Sequence, residues 1–136
     1  MGQPLTQQVF REPQSLTLRV MFDQIRAQAA RRGIVYASLS ESERVAYASE
    51  CVHALSVEVA ELASSWSFAS WKTTPTDIEN IKREVIDCFF FLANICACFN
   101  VSVWDLAETF QWVLENNDKR IANGEHKPCS KEVSIE

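Results

Sequence analysis

SVEVAEL at residues 56–62 and KREVIDC at residues 82–88 each set two carboxylates three positions apart, Glu58 with Glu61 and Glu84 with Asp87, inside an apolar pattern of helical period. On a helix, a three-residue step brings two side chains to nearly the same face, so each pair presents its acids together. Glu58 and Glu61 border Val59 and Leu62, and Glu84 and Asp87 border Val85 and Cys88, so both pairs lie at the edge of a core-facing stripe. Ionised groups in that position are costly unless they are paired or bind a metal. Brought together, the four acids would raise one another's pKa, and a hard divalent cation such as Mg²⁺ or Mn²⁺ relieves that repulsion. The competing reading is an ordinary solvated face, since E-x-x-E is common on helices. A second pair beyond an aromatic, lysine-bearing segment weighs against it.

The flanking sequence is helical on both sides. Ser15 is placed to cap a helix through Leu18, Met21, Phe22 and Ile25 that Gly33 stops. Ser40 with Glu43 forms a capping box for a long helix whose apolar positions are Val45, Ala48, Val52, Leu55, Val59 and Leu62. SWSFASWKTTPT follows without a clear period, and Thr76 with Glu79 is expected to cap the next helix, from Ile78 to Phe99. That helix is apolar on nearly all faces beyond Asp87, which places it at the centre of a bundle or at a subunit interface. Ser102 with Asp105 opens a last helix that fades near Ile121 and ends at Gly124. The expectation is an all-α helical bundle completed by oligomerisation, with a loose arm at 1–14, the helical domain at 15–124 and a polar tail at 125–136.

Composition narrows the function. At 136 residues the chain reads as one domain, short for a helical enzyme that must also enclose a ligand. A formal charge of −5 argues against a nucleic-acid polymer as partner, and two bound divalent cations would offset four of those charges. Five cysteines, none in a C-x-x-C arrangement, read as reduced thiols in a cytoplasmic protein. No secretory signal opens the sequence, and the greasy run from Cys88 to Phe99 is shorter than the roughly 20 residues a membrane span needs. His53 and His126 lack the partners of a hydrolytic triad, and three glycines cannot build a phosphate-cradling loop. A ferritin-type metal protein would need an E-x-x-H motif on each of two helices, and the chain offers that spacing once, at Glu50 and His53. A non-catalytic helical oligomerisation or regulatory module remains as an alternative class.

The order E-x-x-E, about twenty intervening residues, E-x-x-D, and a later N-x-x-R-x-x-x-G resembles the MazG-like all-alpha nucleoside triphosphate pyrophosphohydrolases, the group that includes the dimeric dUTPases and dCTP pyrophosphatases. The matching positions are Glu58, Glu61, Glu84 and Asp87 for metal, and Asn117, Arg120 and Gly124 for the C-terminal element, within residues 40 to 124. The resemblance implies a dimeric or tetrameric bundle, Mg²⁺ or Mn²⁺ with two or more ions per active site, and cleavage of a nucleoside triphosphate into monophosphate and pyrophosphate. Small phage-encoded members of the MazZ kind are similar in size, which favours dGTP, then dATP, as substrate, with dUTP or dCTP as the alternative and the host cytoplasm as location.

The chemistry distributes roles among the remaining residues. Carboxylates alone would repel a triphosphate, so metal must lie between them. Glu61 is the expected general base. Lys72, Lys119 and Arg120 are expected to meet the phosphates, Arg120 bidentately. Trp66 and Trp71 offer stacking surfaces for the base, with Phe68 helping to close the cavity. Asn94, seven residues beyond Asp87 on the same helix face, reads equally as a sugar or base contact and as a satisfied core asparagine. Lys82 and Arg83 read as neutralising a solvent face.

Overall fold

The computed structural model describes residues 17–67, 69, 71 and 73–125. Four helices follow in order: α1 (Leu18–Arg31), α2 (Glu41–Ala63), α3 (Ile78–Cys98) and α4 (Val103–Ala122), with a 3₁₀ turn at Tyr36–Ser38 between α1 and α2. The fold is an all-α helical bundle, and no strand occurs among the described residues. It divides after Val101 into two units, the first holding α1 to α3 and the second holding α4. The expected arm at 1–14 and most of the tail, His126 and Cys129 included, lie outside the described residues.

The helix ends follow their local chemistry. Ser40 and Ser102 each accept from the backbone N–H three residues on, and Glu43 and Asp105 return the bond to the cap residue, so both expected capping boxes form. Two expected caps differ. Ser15 lies outside the described residues, and Thr17 caps α1 by accepting from the Val20 N–H. At α3 the cap is Asp77, which accepts from the Asn80 N–H at 2.9 Å, in place of Thr76 with Glu79. A carboxylate one residue further on is the stronger acceptor for the orphan N–H groups, and its charge suits the helix N-terminus. Asn100 ends α3 at φ 54, and the Val101 N–H closes back on the Cys96 carbonyl at 2.9 Å. Asparagine is among the few side chains that enter this left-handed region readily.

α3 is the centre of the first unit, packed against both α2 and α1. Ser65 at the end of α2 accepts from the Asp77 N–H at the start of α3, at 2.9 Å. Its buried hydroxyl also accepts from Asn80 Nδ2 at 2.9 Å. At the opposite end of this pair, Cys51 of α2 is close enough to Cys98 of α3 to affect its thiol electrostatically. The two helices therefore run antiparallel. The residues buried on these two helices are mostly small: Ala48 and Cys51 on α2, and Ala93, Ala97 and Cys98 on α3. Phe22, Ile25 and Ala29 of α1 complete the core, with Phe22 edge-on to Phe89 at 5.7 Å between ring centroids.

The apolar stripe expected on α2 splits. Ala48 is buried, Leu55 and Leu62 are half-buried, and Val45, Val52 and Val59 stand exposed. Val85, Ile86, Leu92 and Phe99 of α3 are exposed as well. Small residues let the helices approach closely, and one close neighbour covers only part of each apolar surface.

The 3₁₀ turn between α1 and α2 is tied to α3 through one part-buried polar contact. Tyr36 donates its hydroxyl hydrogen to Asn94 Oδ1, and Asn94 Nδ2 donates to the Phe90 carbonyl at 2.8 Å. Asn94 is 4% exposed, so both halves of its amide find partners inside the protein. Tyr36→Phe removes one partner and strands a buried carbonyl oxygen. The expected loss is roughly 1–3 kcal/mol of stability, read as a lower thermal midpoint, and an unchanged midpoint would show that the contact contributes nothing.

Candidate metal centre

Antiparallel packing places the second half of α2 against the first half of α3, and this joins the two acidic motifs. Carboxylate oxygens of Glu58, Glu84 and Asp87 lie within 4.8 Å of one another. Glu84 is only 8% exposed, and its Oε2 is buried with no hydrogen-bond partner among the described residues. An orphaned carboxylate oxygen is costly in an apolar setting. A hard divalent cation satisfies it directly, and an all-oxygen donor set suits Mg²⁺ or Mn²⁺. The trio can hold one metal ion.

The electrostatics agree with that assignment. Burial first, then the charges of Glu61, Asp87 and Glu84, hold the Glu58 carboxyl above the ordinary carboxylate range. Cys88, adjoining Asp87, has its thiol pushed up by burial and by Glu58, Glu84 and Asp87. A protonated thiol is a poor metal ligand, which leaves the site to oxygen.

Glu61 is exposed on α2 and lies outside the trio, although Glu58 feels its charge. Trp66 is half-buried just past α2, and Trp71 is 86% exposed. Lys72 and Phe68 lie outside the described residues. Asn94 is interior and bonded as described above. Asn117, Lys119 and Arg120 are exposed on the last turns of α4, where with Asn116 and Asn123 they line a groove of about 600 Å³ in the second unit.

The structure adds residues that pattern reading passed over. Ser65, Asn80 and Arg83 form a chain of hydrogen bonds at the base of the segment joining α2 to α3: Asn80 donates to Ser65 Oγ, and Arg83 Nη2 donates to Asn80 Oδ1 at 3.0 Å. The clamp holds the start of α3, and hence the Glu84 and Asp87 backbone, in register with α2. Lys82 pairs with Glu79 at 2.7 Å on the surface. A spacing rule cannot find Ser65 and Asn80, because their contact forms only once α2 and α3 have packed.

Mn²⁺ added to metal-free protein is expected to raise the thermal midpoint, since the trio exists only in the folded chain. Glu84→Gln should abolish that rise, and an equal rise in the variant would remove Glu84 from the ligand set. In metal-free protein the raised Glu58 carboxyl gives the opposite sign from an ordinary salt-bridged acid. Its contribution is fully present below the unfolded-state pKa and is lost as pH rises through the higher folded value. Melts across the carboxylate range should show wild type, compared with Glu58→Gln, losing stability in that direction.

A family model described as dUTPase matches residues 23–127, from the second turn of α1 to beyond α4. None of the curated proteins and none of the solved structures compared with the chain matches it. The matched span contains the whole acidic trio and every residue of the C-terminal N-x-x-R-x-x-x-G element. The chain belongs to the dUTPase family.

Proposed function

We propose that the chain hydrolyses a deoxynucleoside triphosphate between its α and β phosphates, giving the monophosphate and pyrophosphate. The observation that carries this reading is the Glu58–Glu84–Asp87 trio with a buried Glu84 oxygen that has no partner among the described residues, in a chain of the dUTPase family. Together these make the protein a metal-dependent nucleoside triphosphate hydrolase. Because the matching family is described as dUTPase, we put dUTP first among the proposed substrates. The purine preference, dGTP before dATP, rests on similarity in size to phage enzymes and takes second place, with dCTP beside it.

Glu58, Glu84 and Asp87 would hold the metal. A divalent cation bound there supplies charge neutralisation for the phosphates and a lower pKa for water. Glu61 sits one turn beyond Glu58, exposed and outside the trio, so its carboxylate is free to accept a proton. In the proposed step the water oxygen bonds to the α phosphorus while its proton passes to Glu61. The bridging P–O bond breaks, and its electron pair leaves with pyrophosphate. Lys72, Asn117, Lys119 and Arg120 would bind the β and γ phosphates and offset their growing charge. Trp66 and Trp71 would stack on the base. Asn94 already spends both ends of its amide on Tyr36 and Phe90, so its proposed part is to hold the wall of the site.

We also assign a homo-oligomer, dimer or tetramer, in the cytoplasm. The exposed valines of α2 and the exposed Leu92 and Phe99 of α3 in the first unit, and Trp104, Phe110 and Trp112 of α4 in the second, are apolar surface that a partner copy would cover. No single helix among the described residues is long and apolar enough to cross a membrane.

Glu61→Gln and Asp87→Asn should each lower turnover on the order of a hundredfold or more. Neither should lower the melting point in metal-free buffer, because each removes a repelling charge. Full turnover in either variant would cancel that residue's role. Assays against the common ribo- and deoxynucleoside triphosphates should give monophosphate and pyrophosphate, fastest from dUTP; diphosphate and orthophosphate as products would overturn the chemistry. Light scattering at micromolar concentration should find an oligomer, and a stable monomer would refute the assembly.

A further inference from the structure

A second cavity, of about 490 Å³, opens in the first unit among the end of α1, the 3₁₀ turn, the start of α2 and the end of α3. Arg26 and Arg44 line it, and no acidic residue does among the described residues. The one ion pair among the described residues is Lys82 with Glu79, so neither guanidinium has a carboxylate partner there. The cavity is thus locally cationic in a chain of net charge −5. Two like charges lining one cavity repel, and an anion bound there is attracted to both.

The cavity is built as well as charged. Arg44 donates its Nε–H to the Leu39 carbonyl at 3.2 Å, which orients the guanidinium plane and leaves the two terminal nitrogens for bidentate contact. Ala30, Ile34, Val35 and Ala97 supply apolar walls beside the two guanidiniums, which lowers the local dielectric and strengthens charge–charge attraction. Asn100 adds a neutral amide, placed by its left-handed backbone at the end of α3. The volume lies within the range of roughly 300–1,000 Å³ common for small-molecule sites. At about 1.5 Å per residue, Ala97 is about 15 Å along α3 from Asp87, so this cavity is separate from the acidic trio.

We propose that the Arg26–Arg44 cavity is a binding site for a small oxyanion, phosphoryl or carboxylate, distinct from the metal centre. Its recognition is bidentate contact from the guanidiniums, with Asn100 as a neutral hydrogen-bonding neighbour. The shared chemistry is a group bearing two or more terminal oxygens and at least one full negative charge.

The test uses the full-length protein, freed of metal by passage over a chelating resin so that no chelator competes. Inorganic phosphate and citrate are titrated separately while amide ¹H–¹⁵N shifts are followed. Saturable shifts of Ala37 and Asn100 are expected with one anion or both, at millimolar concentration or below. Phosphate alone would identify a phosphoryl site, citrate alone a carboxylate site, and both a general oxyanion site. Arg26→Gln, an exposed position that should not disturb folding, is expected to weaken binding roughly tenfold or more, and Arg26→Lys to restore part of it. Lys82→Gln, whose ammonium is already paired, should leave binding unchanged. Absence of saturable binding by either anion would overturn the proposal, as would equal affinity in wild type and Arg26→Gln.

Discussion

Three carboxylates held within 4.8 Å of one another impose the main constraint on this fold. Two unit charges about 4 Å apart repel by about 4 kcal/mol at an effective dielectric of about 20, and here a third joins them. The antiparallel α2–α3 pair must therefore be secured by contacts elsewhere. Along the seam this comes from alanines and cysteines packed at close range; at the connecting segment it comes from the Ser65–Asn80–Arg83 chain. Farther along α3, the Tyr36–Asn94 contact pins the 3₁₀ turn to the same helix. A cation that enters the trio converts the repulsion into coordination, so the most strained part of the apoprotein is also the part best prepared for metal.

Small residues at the seam have a second consequence. Close helix approach buries alanine and cysteine, while Val52, Val59, Leu92 and Phe99 remain at the surface. Burying a large aliphatic or aromatic side chain is worth roughly 1.5–3 kcal/mol, so a chain that leaves many of them uncovered has a strong thermodynamic reason to associate. The same geometry that positions the acids thus leaves the apolar surface that the proposed assembly would cover.

Helix identity was legible in the linear pattern because each helix has its own cap and its own stop. Ser40 with Glu43, Ser102 with Asp105, Gly33 and Gly124 act through bonds that span three to five residues. The α3 cap was misplaced by one residue because Thr76 and Asp77 are both competent acceptors, and only the path of the incoming chain selects between them. Three of the four motif acids meet in one cluster, whereas Glu61 stands apart; a three-residue offset is about 60° short of a full turn, enough for a neighbouring helix to reach one acid and not the other. Asn94 looked equally suited to ligand and core, and its Tyr36 partner lies 58 residues away, beyond the reach of any periodicity. The Arg26–Arg44 cavity was illegible for the same reason: its walls come from four separate stretches of chain.

Anomalous diffraction from crystals grown with Mn²⁺ tests the central claim most directly. A manganese peak within coordination distance of Glu58, Glu84 and Asp87 carboxylate oxygens, with Glu84 Oε2 among the ligands, is the result expected. Ordered crystals in saturating Mn²⁺ that show no peak at this trio, or a peak elsewhere with the three carboxylates turned apart, would contradict the account.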